Sequence, residues 1–212
     1  PPFDSLNLGL FQKDKDPAVN KNIERFLGQM NILHEQLAVP RQVHGDHIAV
    51  AEKPGIYPNT DALVCNKRNI ALVIQVADCV PVFLFDPVKR VVSLIHAGWR
   101  GAAADIVYKA VSRLRSEFKC SPQDIMAFTG PSIGSCCYEV SEDVSSLFPD
   151  SVTVNGRLDL QQFTGIRLRD AGIPSDAIHL SPCCTYCRND LFFSYRKSSG
   201  ATGRILSVAM LV

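Results

Sequence analysis

The sequence predicts an α/β (α+β) fold, a layered single domain in which a mixed β-sheet is flanked by helices. Two observations support this prediction. Apolar runs of strand length and amphipathic helical segments follow one another without the regular β-α alternation that a doubly wound sheet requires. Hydrophobic residues make up 46% of the 212 positions, which is enough for a substantial core. We therefore expect residues 1–212 to form one domain.

The first predicted helix begins at Pro17. Proline is favoured at the first helical position, and Asp16 before it is a suitable N-cap because its carboxylate accepts hydrogen bonds from free amides of the first turn. The apolar positions that follow recur at helical spacing and define one buried face. They are Ile23, Phe26, Leu27 and Met30.

Three apolar runs then predict neighbouring strands over residues 70–76, 80–85 and 91–95. Each run is too short for a typical helix and rich in β-branched or aromatic residues, which favours the strand assignment. The runs follow one another closely along the chain. We therefore expect their ends to surround a common site.

The remaining elements are mostly helical. A helix predicted over 102–118 has one apolar face and places Asp105 in its first turn, where a carboxylate complements the helix dipole. We predict a short capped helix over 141–147 and a further helix for which Asp159 is the N-cap. Residues 207–212 are predicted to form a closing strand.

Two imidazoles and one thiol lie beside small, turn-forming residues in three separate segments. These segments are QVHG at 42–45, ADCVP at 77–81 and HAGWRG at 96–101. His44, Cys79 and His96 would form the three-ligand shell of a catalytic zinc ion, whose fourth position stays open to water and substrate. A lone cysteine is more often a small buried hydrophobe. Here, however, Cys79 follows one predicted strand and His96 ends another, a common location for sites in α/β sheets.

Charged residues around these ligands are candidates for catalysis and substrate binding. Arg100 lies in a glycine-containing loop, whose backbone amides and guanidinium suit phosphate, although a surface salt bridge explains it equally well. Asp78, next to the candidate thiolate, could be a general base, could orient a ligand, or could be a turn residue. Arg196 and Arg204 could bind phosphate from across a cleft or face solvent.

Composition argues against several classes of function. A net charge of +1, from 22 basic and 21 acidic residues, provides no general attraction for nucleic acid. No apolar run approaches the roughly 18 residues of a membrane-spanning helix. Eight cysteines in a chain of this length do not indicate a disulfide scaffold, so we expect reduced thiols and a cytoplasmic location.

One cysteine pair, Cys184 and Cys187, has the C-x-x-C spacing of a metal or redox site. No second C-x-x-C accompanies it, and the side chains of the adjacent Cys136 and Cys137 are expected to diverge. A second zinc site is therefore the minor alternative. We expect these thiols to be reduced and inert.

With these segments assembled, the chain resembles the YfiH-like family, also described as the laccase-domain, polyphenol oxidase or purine nucleoside phosphorylase family. The matching segments are QVHG at 42–45, TDAL at 60–63, ADCVP at 77–81, HAGWRG at 96–101, GPSI at 130–133 with CYEV at 137–140, FFSYR at 192–196 and TGR at 202–204. They run in order along nearly the whole chain. The resemblance implies one α/β domain with a mononuclear zinc site, one zinc per chain, held by His44, Cys79 and His96.

The resemblance also implies activity on purine nucleosides. It implies phosphorolysis of adenosine, inosine, guanosine and methylthioadenosine, and deamination of adenosine. Cys79, His96 and Asp78 are then the candidate catalytic residues. Candidate residues for binding the nucleoside and phosphate are Asn7, Gln42, Arg100 and Arg196. Trp99 or Tyr195 could stack on the purine, although a core position is the favoured explanation for Trp99.

Two other classes of enzyme are alternatives. The laccase name implies copper-dependent oxidation of phenols, and copper binds tightly to any site with nitrogen and sulfur ligands, but multicopper chemistry needs more histidines than the five present. Cys79 and His96 could instead be the nucleophile and base of a cysteine hydrolase. A pure binding module is the weakest alternative. Relatives usually begin with a further strand and loop before the segment at 5–9, so we expect a short N-terminal piece to precede this sequence.

Overall fold

The structure, a computed structural model, describes residues 6–10 and 17–212. Its strands form two mixed sheets, which helices flank on both outer sides. The predicted mixed-sheet α/β fold is therefore confirmed, with the strands divided between two principal sheets. Asp16, the predicted first N-cap, lies outside the described residues. No helix in the described ranges is both long and apolar enough to cross a bilayer.

The larger sheet has six strands in the order β11-β8-β6-β7-β4-β2. Its strands are β2 (Ile48–Val50), β4 (Ala62–Cys65), β6 (Val80–Asp86), β7 (Val91–Ala97), β8 (Met126–Thr129) and β11 (Ile178–His179). The pairs β2/β4 and β8/β11 are parallel, and the three central pairs are antiparallel. Strand β7 is buried along its whole length, because it is central in this sheet and both faces are covered.

The smaller sheet has four strands in the order β12-β5-β1-β3. They are β1 (Leu37–Pro40), β3 (Gly55–Tyr57), β5 (Ala71–Val76) and β12 (Ile205–Met210). Strand β12 pairs antiparallel with β5, whereas β1 pairs parallel with both β3 and β5. A separate short hairpin consists of β9 (Thr153–Val154) and β10 (Arg157–Leu158).

The two sheets pack face to face, and helices cover their outer faces. The helices are α1 (Pro17–Gly28), α2 (Trp99–Ala103), α3 (Ile106–Phe118), α4 (Glu142–Ser145) and α5 (Leu160–Asp170). Leu72 of β5 and Leu94 of β7 meet in the core between the sheets. Helix α1 packs on the smaller sheet and helices α3 and α5 pack on the larger one, which completes four layers.

Three helices differ from their prediction. The helix predicted over 102–118 is interrupted, because Asp105 adopts a left-handed backbone conformation with φ of 62° between α2 and α3. Its carboxylate receives two hydrogen bonds from Arg167 and caps no amide. The first helix ends at Gly28, so Met30 lies beyond it and is exposed. The short helix predicted over 141–147 covers only Glu142–Ser145, whereas Asp159 caps α5 as predicted.

Strand register positions the site. Strands β6 and β7 are antiparallel with Val80 opposite Ala97, so Cys79, just before β6, lies beside His96 near the end of β7. Strands β4 and β7 pair with Ala62 opposite Ile95. Asp61, just before β4, therefore lies next to His96 on its other side, and the amide of His96 donates to its carbonyl oxygen at 2.8 Å.

Candidate metal centre and active-site cavity

The three ligands predicted from the sequence meet at one point. The ligand atoms of His44, Cys79 and His96 all lie within 4.8 Å of one another. The two imidazole rings meet edge to face, with centroids 4.8 Å apart. His44 comes from the loop after β1, Cys79 from the β5-β6 turn and His96 from β7. Three distant segments therefore converge on a single small volume.

This volume suits a metal ion. A Cβ atom placed on Gly98 would lie 3.1 Å from the Cys79 Sγ and 3.3 Å from His44 Cδ2, so glycine keeps the space beside the ligands open. Imidazole nitrogen and thiolate sulfur are both zinc ligands, and a shell of three protein ligands leaves a fourth position for water or substrate. The residues present therefore fit a mononuclear zinc ion.

Asp61 organises two of the three ligands. Its fully buried carboxylate accepts hydrogen bonds from the backbone amides of Val43, His44 and Gly45 at 3.1, 3.0 and 2.8 Å. The same carboxylate lies 2.8 Å from His96 Nδ1. His44 has a φ of 59°, a conformation unfavourable for a residue with a side chain, and these bonds stabilise the loop that contains it. With Nδ1 bonded to Asp61, His96 presents Nε2 to the site.

The ligands also shift one another's pKa values. Burial raises the pKa of the Cys79 thiol, but the charges and hydrogen bonds of His96 and His44 outweigh it and lower this pKa to about 6. Burial lowers the pKa of His96, but the Cys79 thiolate and Asp61 outweigh that and raise it to about 9. Burial also acts to raise the pKa of Asp61, but the hydrogen bonds that its carboxylate accepts outweigh burial, so the pKa is lowered. In the absence of a metal, these shifts favour a Cys79 thiolate beside a His96 imidazolium.

A cavity of about 870 Å³ opens onto these ligands, and its walls are strongly cationic. Four arginines line it: Arg41, Arg100, Arg196 and Arg204. Three aromatic residues line it too: Trp99, Tyr138 and Tyr195. Asp78 is the single carboxylate among the lining residues in the described part of the chain. The cavity can therefore accommodate an anion beside an aromatic ring system.

The arginines differ in how many contacts their guanidinium groups already make within the protein. Arg100 is exposed, stands 4.2 Å above the Trp99 ring, and forms no salt bridge with a carboxylate of the described residues. Arg196 donates from Nη1 to the Glu139 carbonyl oxygen at 2.7 Å and lies over the Tyr138 ring. Arg100 is consequently more available for a ligand than Arg196.

Asp78 is occupied by hydrogen bonds within the protein. Its Oδ1 accepts from the Thr185 hydroxyl at 2.6 Å, and its Oδ2 accepts from the backbone amide of Arg196 at 2.7 Å. Its φ of 85° places it in a tight turn between β5 and β6. Asp78 therefore attaches the segment containing Arg196 to the ligand turn. This geometry favours a positioning role over that of a free general base.

Two of the predicted substrate-binding residues have other contacts. Gln42 lines the cavity, but its amide pairs with the backbone of Gln75 through two hydrogen bonds of 2.8 Å each. Asn7 is buried and is not among the described residues that line the cavity, and its role in substrate binding stays a prediction. Its Oδ1 accepts from the amides of Gly9 and Arg204, because a buried amide side chain needs partners. Asn7 therefore positions Arg204.

The sequence reasoning did not identify Asp61, Tyr138 or Arg41 as parts of the site. A polar residue directly before a fully buried strand was the available signal for Asp61. Burial raises the pKa of Tyr138 to about 12, so its hydroxyl keeps its proton at neutral pH. His47, three residues after His44, forms a hydrogen bond with Thr60 and is not part of the ligand group.

Comparison with known proteins shows similarity over nearly the full length. Residues 1–212 match the profile of the family described as "Multi-copper polyphenol oxidoreductase laccase". "Purine nucleoside phosphorylase YlmD" of Bacillus subtilis is 33% identical over 227 residues, covering 97% of this chain and 82% of that protein. "Purine nucleoside phosphorylase YfiH" of Escherichia coli is 31% identical, with coverages of 100% and 88%. The crystal structure of Bacillus licheniformis hypothetical protein YfiH superposes with a TM-score of 0.96 at 34% identity, with coverages of 100% and 88%.

Proposed function

The chain belongs to the YfiH-type family described as multi-copper polyphenol oxidoreductase laccase, and on this premise we propose that it is a zinc-dependent purine nucleoside enzyme. It carries out phosphorolysis of adenosine, inosine, guanosine and methylthioadenosine and deaminates adenosine. One domain over residues 1–212 contains the activity, with one zinc at this centre. The observation that supports this most directly is a cationic cavity that opens onto a three-ligand site. Relatives named purine nucleoside phosphorylase agree with it.

His44, Cys79 and His96 would hold the zinc ion, and Asp61 fixes the orientation of His96. When bound, the ion supplies Lewis-acid chemistry at the open position. The protein's own residues bind and orient the two substrates. Trp99 and Tyr195 line the cavity as flat surfaces for the purine, and Tyr138 keeps its proton and can donate a hydrogen bond.

Phosphorolysis also needs an anion site. A phosphate oxygen forms a bond to C1′ of the ribose while the bond from C1′ to the purine nitrogen breaks, and the purine leaves with the electron pair and takes up a proton. Arg100 has an exposed guanidinium at the cavity and no salt bridge within the described residues, so it binds the phosphate. Arg196 and Arg204 extend the cationic wall.

Two assays test the proposal on one substrate. Adenosine with inorganic phosphate should yield adenine and ribose 1-phosphate, and this release should vanish when phosphate is omitted. Formation of inosine from adenosine should persist without phosphate, because its nucleophile is water. Arg100→Ala should lower phosphorolysis about 10- to 100-fold, the loss of one charge-assisted contact, and leave deamination less affected.

Arg115→Ala is the matched control, because it removes an exposed arginine that is not part of the cavity wall. Its rates should equal those of the unaltered protein. Equal losses of both reactions in Arg100→Ala would mean that Arg100 holds the loop or the nucleoside. Absence of purine release under all conditions, with oxidation of a phenol instead, would replace the proposal by copper-dependent polyphenol oxidase activity.

One observation favours a second candidate, a cysteine hydrolase. Cys79, His96 and Asp61 have the arrangement of a nucleophile, a base and the carboxylate that orients the base. The pKa of Cys79 is also low. Activity after zinc depletion separates the two candidates. A zinc enzyme loses turnover and regains it when zinc is restored, whereas a cysteine hydrolase stays active without metal.

A further inference from the structure

Four cysteines outside the active-site cavity lie close together. The Sγ atoms of Cys136, Cys137, Cys184 and Cys187 are all within 4.8 Å of one another. The Cys187 Sγ is 3.6 Å from that of Cys136 and 3.4 Å from that of Cys137. None of the four is in a disulfide, and a disulfide would need sulfurs about 2.05 Å apart. We call this group the four-cysteine cluster.

We propose that the four-cysteine cluster binds a second zinc ion, in a closed structural site. Zinc bound by four thiolates is tetrahedral with Zn–S distances of about 2.3 Å, which separates neighbouring sulfurs by about 3.8 Å. The two separations measured from Cys187, 3.6 and 3.4 Å, are close to this value, and no separation within the cluster exceeds 4.8 Å, so small side-chain rotations would complete the tetrahedron. Four protein ligands leave no position for substrate, so this site has a structural role, unlike the three-ligand centre.

The expectation that Cys136 and Cys137 diverge does not hold in this fold. The backbone carbonyl of Gly134 accepts hydrogen bonds from the amides of Cys137 and Tyr138, which closes a tight turn. In this turn both thiols approach Cys187. The turn thus brings the thiols of Cys136 and Cys137 close together, as the C-x-x-C spacing does for Cys184 and Cys187.

The backbone around the cluster supports a thiolate. The amide of Gly134 donates to Cys184 Sγ at 3.2 Å, and such bonds stabilise the negative charge of a metal-bound sulfur. A Cβ atom on Gly134 would lie 3.3 Å from the Cys136 Sγ and 3.6 Å from the Cys184 Sγ. Glycine therefore allows the backbone to approach the sulfurs.

A metal here would join two long irregular segments. Residues 180–204 contain no helix and no strand, a length that is uncommon for a loop without a stabilising element. Two backbone hydrogen bonds link Ser132 with Cys183 and Thr185, and the cluster lies beside this contact. The zinc site would connect residues that are about 50 positions apart in sequence.

This connection also bears on the active-site cavity. Tyr138 directly follows Cys137, and Arg196 lies on the other segment, with its guanidinium 5.1 Å from the Tyr138 ring. Both residues line the cavity. The second zinc would hold these two parts of the cavity wall together. The inference stands independently of the reaction that the cavity catalyses.

The test compares the zinc content of purified variants by elemental analysis, without zinc added during purification. Cys187→Ser removes an exposed cluster thiol and should contain one zinc per chain less than the unaltered protein. Cys183→Ser is the matched control, because Cys183 precedes Cys184 in the sequence but lies outside the cluster. This variant should retain the full zinc content. This difference is expected whether or not the three-ligand centre contains zinc.

A second measurement uses the unaltered protein and so does not depend on how the variant folds. The four cluster cysteines should resist N-ethylmaleimide until EDTA is added, as read by peptide mass spectrometry. Three results would overturn the proposal. They are unchanged zinc in Cys187→Ser, full labelling of Cys136 and Cys187 without EDTA, and a disulfide among the four in the non-reduced protein.

Discussion

Asp61→Asn tests whether one buried carboxylate supports the metal centre. The substitution keeps the shape of the side chain but replaces one acceptor oxygen with an amide. The carboxylate accepts from three backbone amides and from His96, so the asparagine must leave about two of these donors without their partner. A hydrogen bond to a charged group contributes about 1.5–3 kcal/mol, and water can reach the half-buried loop, so we expect a total loss of about 2–3 kcal/mol in unfolding free energy.

The same change should weaken metal binding. Loss of a partner that orients a ligating histidine typically lowers metal affinity about 10- to 100-fold. Urea denaturation of the metal-free protein measures the first effect, and competition for zinc with a chromophoric chelator measures the second. Asp46→Asn is the control, since it removes the same charge from the neighbouring exposed ion pair with Lys109 and should cost less than about 1 kcal/mol. If Asp61→Asn bound zinc as tightly as the Asp46→Asn control and had the same unfolding free energy, this account of the site would be refuted.

Two further predictions concern packing and pH. In Gly101→Ala, the new Cβ would lie 2.6 Å from the Gly45 carbonyl oxygen, so we expect about 1–3 kcal/mol of destabilisation in denaturant titrations, whereas Gly28→Ala, with open space around it, should not destabilise. In the metal-free protein, the lowered pKa of Cys79, about 6, contributes stability that is fully present above the ordinary thiol value of about 8.5 and is lost as the pH falls through 6. The raised pKa of His96, about 9, contributes stability that is fully present below the ordinary value of about 6.5 and is lost as the pH rises through 9. The unfolding free energy relative to Cys79→Ala should therefore be largest between about pH 6 and pH 9 and smaller on either side, and a difference that does not fall below about pH 6 or above about pH 9 would contradict the ion pair.

Local patterns in the sequence were sufficient to predict most of the helices and strands. The apolar run at 70–76 became β5, and the run at 91–95 became most of β7, because the alternation and length of apolar residues are local properties. Asp159 was recognisable as an N-cap for the same reason. The interruption at Asp105 was not recognisable, because its left-handed backbone is stabilised by Arg167 from another helix.

The sequence by itself determined the chemical types in the site, since His44, Cys79 and His96 each stand beside turn-forming residues at or near strand ends. Only the tertiary structure decided which other groups join them. Strand register places Asp61 against His96, and a turn at Gly134 brings two adjacent cysteines toward Cys187. The physical reason is that a side chain's type is encoded locally, whereas its partners depend on pairing between segments that are tens of residues apart.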